Sequence, residues 1–232
     1  MPPEAGEPPY QGLRSFDESQ AEWFFGREQL TAVLANRLHE TNFLAVVGDS
    51  GSGKSSVVRA GVIPAFKGVT LVAGGSVPPL GHWQVHLFTP TARPLEKLVT
   101  VLWPDDVSQQ TAVRDQLLFS PSALSHFLAP RTSVLAPLLL VIDQFEELFS
   151  QCQDEAQRRA FIANIVQAAS PLCKIVITLR ADFYSACLPY EPLRQSSANR
   201  ASTHRCHSTR RSYRRRSLAL LGKAAGCFRR GW

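Results

Sequence analysis

The strongest constraint on this chain is the segment Gly48-Asp49-Ser50-Gly51-Ser52-Gly53-Lys54-Ser55, a glycine, four free positions and then Gly-Lys-Ser. Glycines let the backbone turn tightly, so that successive N–H groups can face one anion. A lysine in this place reaches the outer phosphates of a nucleotide, and the serine hydroxyl takes a position on a magnesium ion. The segment therefore has the pattern of a phosphate-binding loop.

The flanking residues favour this interpretation. The apolar run 43–47 leads directly into the loop and predicts a short buried strand. Residues 55–62 follow without a helix breaker until Pro64 and predict a helix. Strand, loop and helix in this order point a helix N-terminus at phosphate. The alternative, a glycine-rich turn that binds nothing, is disfavoured by this context.

Further strands and helices alternate along the chain. Two apolar runs, 138–142 and 175–179, have the composition of parallel strands buried on both faces, and the alternating segment 82–88 predicts another strand. The fold class is therefore α/β, a parallel sheet flanked by helices as in P-loop NTPases. Helices are predicted after Asp17, over about 28–39 and 95–102, within 105–133 between Pro121 and Pro130, and after Asp154.

Charge divides the chain into unequal parts. Residues 1–193 hold 14 of the 25 basic residues and all 19 acidic ones, whereas residues 194–232 hold 11 basic residues and no acid. We expect a disordered lead-in over 1–9, one NTPase domain over 10–193, and a basic low-complexity tail over 194–232. The composition of the tail resembles a disordered segment, a truncated gene or a translation product of a shifted reading frame.

Several protein classes are disfavoured by composition. The five cysteines form no C-x-x-C pair, so neither a zinc site nor a disulfide framework is predicted. No apolar stretch approaches the roughly 20 residues of a membrane span, and the N-terminus lacks the features of a signal peptide. We therefore expect a cytoplasmic protein without a membrane partner.

Acidic residues follow the apolar run 138–142. Asp143 fits a Walker B carboxylate that holds magnesium, directly or through water, opposite Ser55, or alternatively a helix N-cap. Glu146 and Glu147 could activate the hydrolytic water, or could simply favour the first turn of a helix. Gln144 can orient water but cannot accept its proton, so we expect slow hydrolysis at most.

Arg180 ends the run 175–179, and ligands of open α/β sheets bind at the carboxyl ends of strands. Resemblance to related ATPases implies that the strand that carries it lies between the strands of Lys54 and Asp143, where Arg180 could sense a γ-phosphate. The alternative is a surface ion pair with Asp182.

Together these segments resemble the bacterial STAND NTPases, signal-transduction ATPases, of the novel STAND type that is often joined to WD-repeat propellers. The resemblance covers about residues 10–193 and rests on five segments in order: 10–16, 24–28, 48–56, 143–149 and 178–184.

The resemblance implies roles for individual residues. Gly26 and Arg27 would lie near adenine and ribose, and the loop through Ser56 would bind phosphates. Ser55 and Asp143 would bind magnesium, Glu146 or Glu147 the hydrolytic water, and Arg180 would sense the γ-phosphate. The implied cofactors are ATP or ADP and Mg²⁺, and the implied role is a nucleotide-dependent switch with protein partners in a signalling assembly. Family members would continue past Arg194 with further elements that this sequence does not show, so we expect an incomplete C-terminal part.

Two other functions remain open from the sequence. A small-molecule phosphotransferase also has an early phosphate loop, but the segments 143–147 and 179–183 are not typical of it. The arginine-rich tail could bind nucleic acid non-specifically, as any block of like charge binds polyanions, so no specific nucleic acid is expected. A GTPase is disfavoured, since no Asn-Lys-x-Asp segment occurs.

Overall fold

A computed structural model describes residues 16–68 and 83–198 of the chain. The expected lead-in over 1–9 and the tail from residue 199 onward lie outside the described residues.

The strands are β1 (Phe43–Gly48), β2 (Gln84–Phe88), β3 (Leu138–Ile142) and β4 (Cys173–Arg180). The helices are α1 (Glu28–Glu40), α2 (Lys54–Ser56), α3 (Ile63–Phe66), α4 (Pro94–Leu102), α5 (Val107–Phe119), α6 (Ala123–Leu128), α7 (Glu147–Gln151), α8 (Glu155–Ala168), α9 (Tyr184–Cys187) and α10 (Glu191–Ala198). Short 3₁₀ helices cover Glu18–Trp23 and Ala181–Phe183.

The strands form one parallel sheet in the order β1-β4-β3-β2. This confirms the predicted α/β class and also the expected place of β4 between the strand of the phosphate loop and the strand of Asp143. All five residues of β3 are buried, and β4 is buried up to Arg180. Strands covered on both faces need apolar side chains at every position, which explains the continuous apolar runs of β3 and β4.

Each face of the sheet has its own core. Side chains such as Leu44, Leu139 and Val176 pack with α1 and with the helix that follows the phosphate loop. On the other face, Leu140, Ile175 and Ile177 belong to a larger cluster that includes residues of α4, α5, α6 and α8. The phosphate loop therefore leaves β1 toward the first face, while Asp143 follows a strand held from both sides.

The helix after the phosphate loop is longer than predicted. It runs as α2, a π-helical segment Val57–Val62 and α3, and we call residues 54–66 together the P-loop helix. The expectation that Pro64 ends this helix is wrong. A proline removes one backbone donor and crowds the preceding turn, and the wider π-helical turns before Pro64 relieve this crowding.

Most other predicted elements are confirmed with small shifts of their bounds. The Asp17 side chain caps the first 3₁₀ helix in a capping box with Gln20, and Asp154 caps α8. Helix α10 extends to Ala198, four residues past Arg194, where we expected the tail to begin. Within the part of the chain that the structure describes, no helix is long and apolar enough to cross a membrane.

Close packing at Gly61 positions the P-loop helix against α1. A Cβ atom built on Gly61 would lie 2.5 Å from Oγ1 of Thr31 and 3.0 Å from its Cγ2. Thr31 is buried in α1 and Gly61 in the π-helical segment. The two helices therefore approach to a distance that admits no side chain at position 61.

We expect Gly61→Ala to lower the free energy of unfolding by about 1–3 kcal/mol, because the added methyl overpacks this contact. In a helix without such a contact, the same change stabilises by up to about 1 kcal/mol. The measurement is chemical denaturation of Gly61→Ala, Thr31→Ala and the double variant. A positive interaction between the two sites is expected, since Thr31→Ala removes the atoms that clash. Gly61→Ala that is as stable as the unaltered chain would contradict this account of the helix contact.

Candidate functional site

The phosphate loop is shaped by two glycines in the left-handed region. Gly51 has a φ of 70° and Gly53 a φ of 85°. Nothing lies within 4 Å of a Cβ atom built at either position, so glycine is required there by backbone conformation and not by lack of space. The loop consequently remains open on the side where Gly51 faces solvent.

Lys54 begins the P-loop helix and is only 7% exposed. Its Nζ donates to the carbonyl oxygens of Gly48, at 2.9 Å, and Asp49, at 2.8 Å. The hydroxyl of Ser52 is buried in the same loop and has no hydrogen-bond partner among the described residues. A buried hydroxyl without a partner calls for an explanation, and an anion in the loop would supply its acceptor. The helix N-terminus, the lysine and this hydroxyl fit a phosphate group.

Asp143 is the centre of the site at the carboxyl end of β3. It is 1% exposed and has three side-chain partners, two on the P-loop helix and one on β4. Ser55 Oγ donates to Oδ1 at 2.8 Å, and the Thr178 hydroxyl of β4 donates to the same oxygen. Arg59 of the P-loop helix contacts Oδ2 through Nη2, at 2.6 Å, and Nε, at 2.9 Å. Asp143 does not cap α7, whose N-cap is Glu146, so the alternative role as a helix cap is wrong.

The pairing of Ser55 with Asp143 brings together two oxygen ligands of the kind that magnesium prefers. Among the described residues, no group of three or more histidines, cysteines or acids could hold a metal. Magnesium commonly binds proteins through one or two carboxylates together with phosphate and water oxygens. The two residues therefore fit a magnesium ion that is held jointly with a nucleotide.

A strained turn directs the chain away from β3 after Asp143. Gln144 is exposed and has a φ of 55°, a conformation that costs energy for a residue other than glycine. Its N–H donates to Thr178 Oγ1 at 2.8 Å, and the N–H of Phe145 donates to the Thr178 carbonyl at 2.8 Å. Thr178 thus fixes both the carboxylate of Asp143 and the turn that follows it.

The two glutamates after this turn differ in their surroundings. Glu146 is 7% exposed, and its Oε2 accepts from the backbone N–H of Arg180 at 3.2 Å. Glu147 is half-buried and accepts from Ser150 Oγ, at 2.9 Å, and Gln151 Nε2, at 2.8 Å, both on its own helix. Glu146 therefore lies at the carboxyl ends of β3 and β4, where a ligand of the sheet would bind, while Glu147 stabilises α7.

Arg180 ends β4 level with Gly48 of β1. Its guanidinium pairs with Asp182, with Nη2 2.6 Å from Oδ2, and lies 5.4 Å from the ring centroid of Phe183. The structure therefore contains the ion pair that was the alternative to a sensor role. The position of Arg180 at the binding edge of the sheet remains compatible with that role, since the pair is partly exposed and can exchange partners.

Gly26 and Arg27 lie immediately before α1, the helix that packs on the P-loop helix. Gly26 has a φ of 82°, and its N–H donates to Glu28 Oε1 at 2.8 Å, which lowers the pKa of Glu28. The proposed contact of this pair with adenine and ribose stays a prediction.

Two buried cysteines are not suited to nucleophilic chemistry. Burial raises the pKa of the Cys173 and Cys187 thiols to about 12, so both stay protonated and are poor nucleophiles.

Sequence reasoning missed Arg59 and the role of Thr178. Arg59 carries no signal in the phosphate-loop pattern, because its importance depends on Asp143, which is 84 positions away. Thr178 had a weak signal as the one hydroxyl in the otherwise apolar run 175–179. A polar residue near the end of a fully buried strand needs a partner, and that requirement could have identified it.

Comparison with known proteins supports a nucleotide-binding assignment. A family described as novel STAND NTPase 1 matches residues 9–215 of the chain. Among curated proteins, nothing matches.

Two solved structures show a remote likeness to this chain. A Walker-type ATPase of Pyrococcus abyssi is 15% identical, with a TM-score of 0.45, over 72% of this chain and 48% of its own. EccC of Thermomonospora curvata (ATPases 2 and 3), in complex with a signal sequence peptide, is 20% identical, with a TM-score of 0.35, over 71% of this chain and 29% of its own. The chain thus spans less than half the length of either structure, and neither likeness supports an argument about ligands.

Proposed function

The chain belongs to the novel STAND NTPase 1 family, a nucleotide-binding family, and we propose that it is an ATP- and ADP-binding switch in a signalling assembly. The observation that supports this most directly is the 2.8 Å hydrogen bond between Ser55 and Asp143. It joins the phosphate loop to the acid that follows β3, the two parts from which a P-loop NTPase builds its magnesium site.

Each residue of the site has a task in this proposal. Lys54 and the N–H groups of the loop bind the outer phosphates, and Ser55 and Asp143 hold magnesium. The metal, when bound, neutralises charge on the phosphate oxygens. Glu146 orients and deprotonates the attacking water, since its carboxylate is the buried one at the carboxyl ends of the strands. Arg180 leaves Asp182 to contact a γ-phosphate, and protein partners respond to the nucleotide that is bound.

Binding of nucleotide is tested by Lys54→Ala. We expect the affinity for Mg·ADP and Mg·ATP to fall by at least about 30-fold, because a charged hydrogen-bond donor to phosphate contributes at least about 2 kcal/mol. The measurement is isothermal titration calorimetry on the full chain. Lys97→Ala, a lysine on α4 across the sheet, is the matched control and should bind as the unaltered chain does. Equal affinity of Lys54→Ala and the unaltered chain would remove the proposed function.

The second test separates the two glutamates. We expect turnover well below the roughly 10 s⁻¹ of a typical enzyme, since Gln144 cannot act as a base and Glu146 is already hydrogen-bonded. Glu146→Gln should reduce single-turnover hydrolysis by about 100-fold, as expected for loss of a general base. Glu147→Gln, which keeps the bonds within α7, is the comparison and should change little. The reverse pattern would assign the catalytic task to Glu147.

The third test concerns the choice between ATP and ADP. Arg180→Ala should reduce the ratio of ATP affinity to ADP affinity by about tenfold, the effect of one lost contact worth about 1.4 kcal/mol, without abolishing ADP binding. Asp182→Ala, which frees the guanidinium, should leave that ratio the same or raise it. Titration of both nucleotides against each variant gives the ratio. An unchanged ratio in Arg180→Ala would contradict the sensor role and would favour the surface ion pair with Asp182 as the function of Arg180.

A further inference from the structure

Arg59 supplies the positive charge that Asp143 needs inside the protein. A carboxylate that is 1% exposed is costly to bury unless a cation compensates it. The Arg59 guanidinium does so with two nitrogens on Oδ2, while Oδ1 accepts from two neutral hydroxyls. The structure thus contains an ion pair at the carboxylate that we assign to magnesium.

A guanidinium and a magnesium ion cannot both occupy this carboxylate without repelling each other. Coulomb repulsion between like charges a few ångströms apart is strong wherever water is largely excluded. The oxygen Oδ2 faces Arg59, and Oδ1 is held by Ser55 and Thr178. Direct coordination of a metal by Asp143 therefore requires that Arg59 give up its contacts.

The surroundings of Arg59 allow this movement. Its side chain is 27% exposed, and it lines a cleft of about 230 Å³ between the P-loop helix, strand β2 and the first 3₁₀ helix. The same cleft is lined by Asp17, which caps the first 3₁₀ helix, and by Glu18, which pairs with Lys67. The guanidinium thus has space to enter, and the two carboxylates of the cleft outnumber its one lysine once Arg59 leaves Asp143.

We propose that Arg59 is a positioning residue that neutralises Asp143 while no metal is bound and turns into the cleft when magnesium binds. This inference rests on the proposed function, because it assumes that Asp143 is a magnesium ligand. It makes magnesium affinity weaker than Ser55 and Asp143 alone would give. It also links the metal to the first 3₁₀ helix, since that helix forms one wall of the cleft.

The experiment compares Arg59→Gln with Lys67→Gln in the full chain. Lys67 lines the same cleft and carries the same charge, but it pairs with Glu18 at 2.8 Å instead of Asp143. The thermal midpoint is followed against MgCl₂ concentration at constant ionic strength, with and without ADP, and gives an apparent magnesium affinity. This readout does not depend on hydrolysis.

We expect Arg59→Gln to have a lower midpoint than the unaltered chain without magnesium, and an apparent magnesium affinity that is higher by about 5-fold or more, the lower range of measured couplings between sites. Lys67→Gln should leave magnesium affinity unchanged within about twofold, as expected for loss of a surface charge that salt screens. Equal or weaker magnesium affinity in Arg59→Gln would overturn the inference, and so would an increase of the same size in both variants.

A second variant covers the possibility that Arg59→Gln fails to fold without magnesium. Arg59→Lys keeps the charge but loses the planar fork, so it holds the carboxylate less firmly. It should bind magnesium more tightly than the unaltered chain, and equal or weaker binding would overturn the inference. If the unaltered chain binds Mg·ADP and Lys54→Ala binds it more weakly, failure of the Arg59 variants counts against Arg59 alone. If no variant and no unaltered chain binds magnesium or Mg·ADP, both proposals fall.

Discussion

The buried carboxylate of Asp143 is the interaction on which the arrangement of this site depends. Almost no water reaches it, so its charge and its oxygens must be satisfied by the protein. Its three partners come from two elements: Ser55 and Arg59 lie on the P-loop helix, and Thr178 lies on β4. Removal of any one partner leaves a buried charge less well compensated and is destabilising, so this group ties together the P-loop helix, β3 and β4.

The parallel sheet makes this meeting possible. Because β4 lies between β1 and β3, its carboxyl end adjoins both the phosphate loop and the turn after Asp143. Its register places Arg180 level with Gly48, and the backbone N–H of Arg180 donates to Glu146. Thr178, two residues earlier and therefore on the same face of the strand, serves Asp143 and Gln144. Strand β4 thus supports both the phosphate loop and the acidic residues that follow β3.

The sequence was sufficient for the parts that depend on local pattern. The strands β3 and β4 were readable because burial on both faces demands continuous apolar runs, and the phosphate loop was readable because its glycines need positive φ values. The extension of the helix past Pro64 could not be predicted from the sequence, since a π-helical segment has no local signature. Nor could spacing separate Glu146 from Glu147 or find Arg59, because each depends on contacts between residues that are distant in sequence.

The state of Asp143 also bears on what kind of NTPase this domain can be. An enzyme adapted to turnover gains most from a metal site that needs no rearrangement, since preorganisation lowers the barrier. Here the proposed metal ligand is already neutralised by Arg59, and the proposed base Glu146 is already bound to a backbone N–H. Under the proposed function, both contacts are exchanged before chemistry, which would slow hydrolysis and would give the site two arrangements with different hydrogen-bond and ion-pair partners. Such a pair of arrangements, biased by a ligand, is the physical requirement for the switch that we propose.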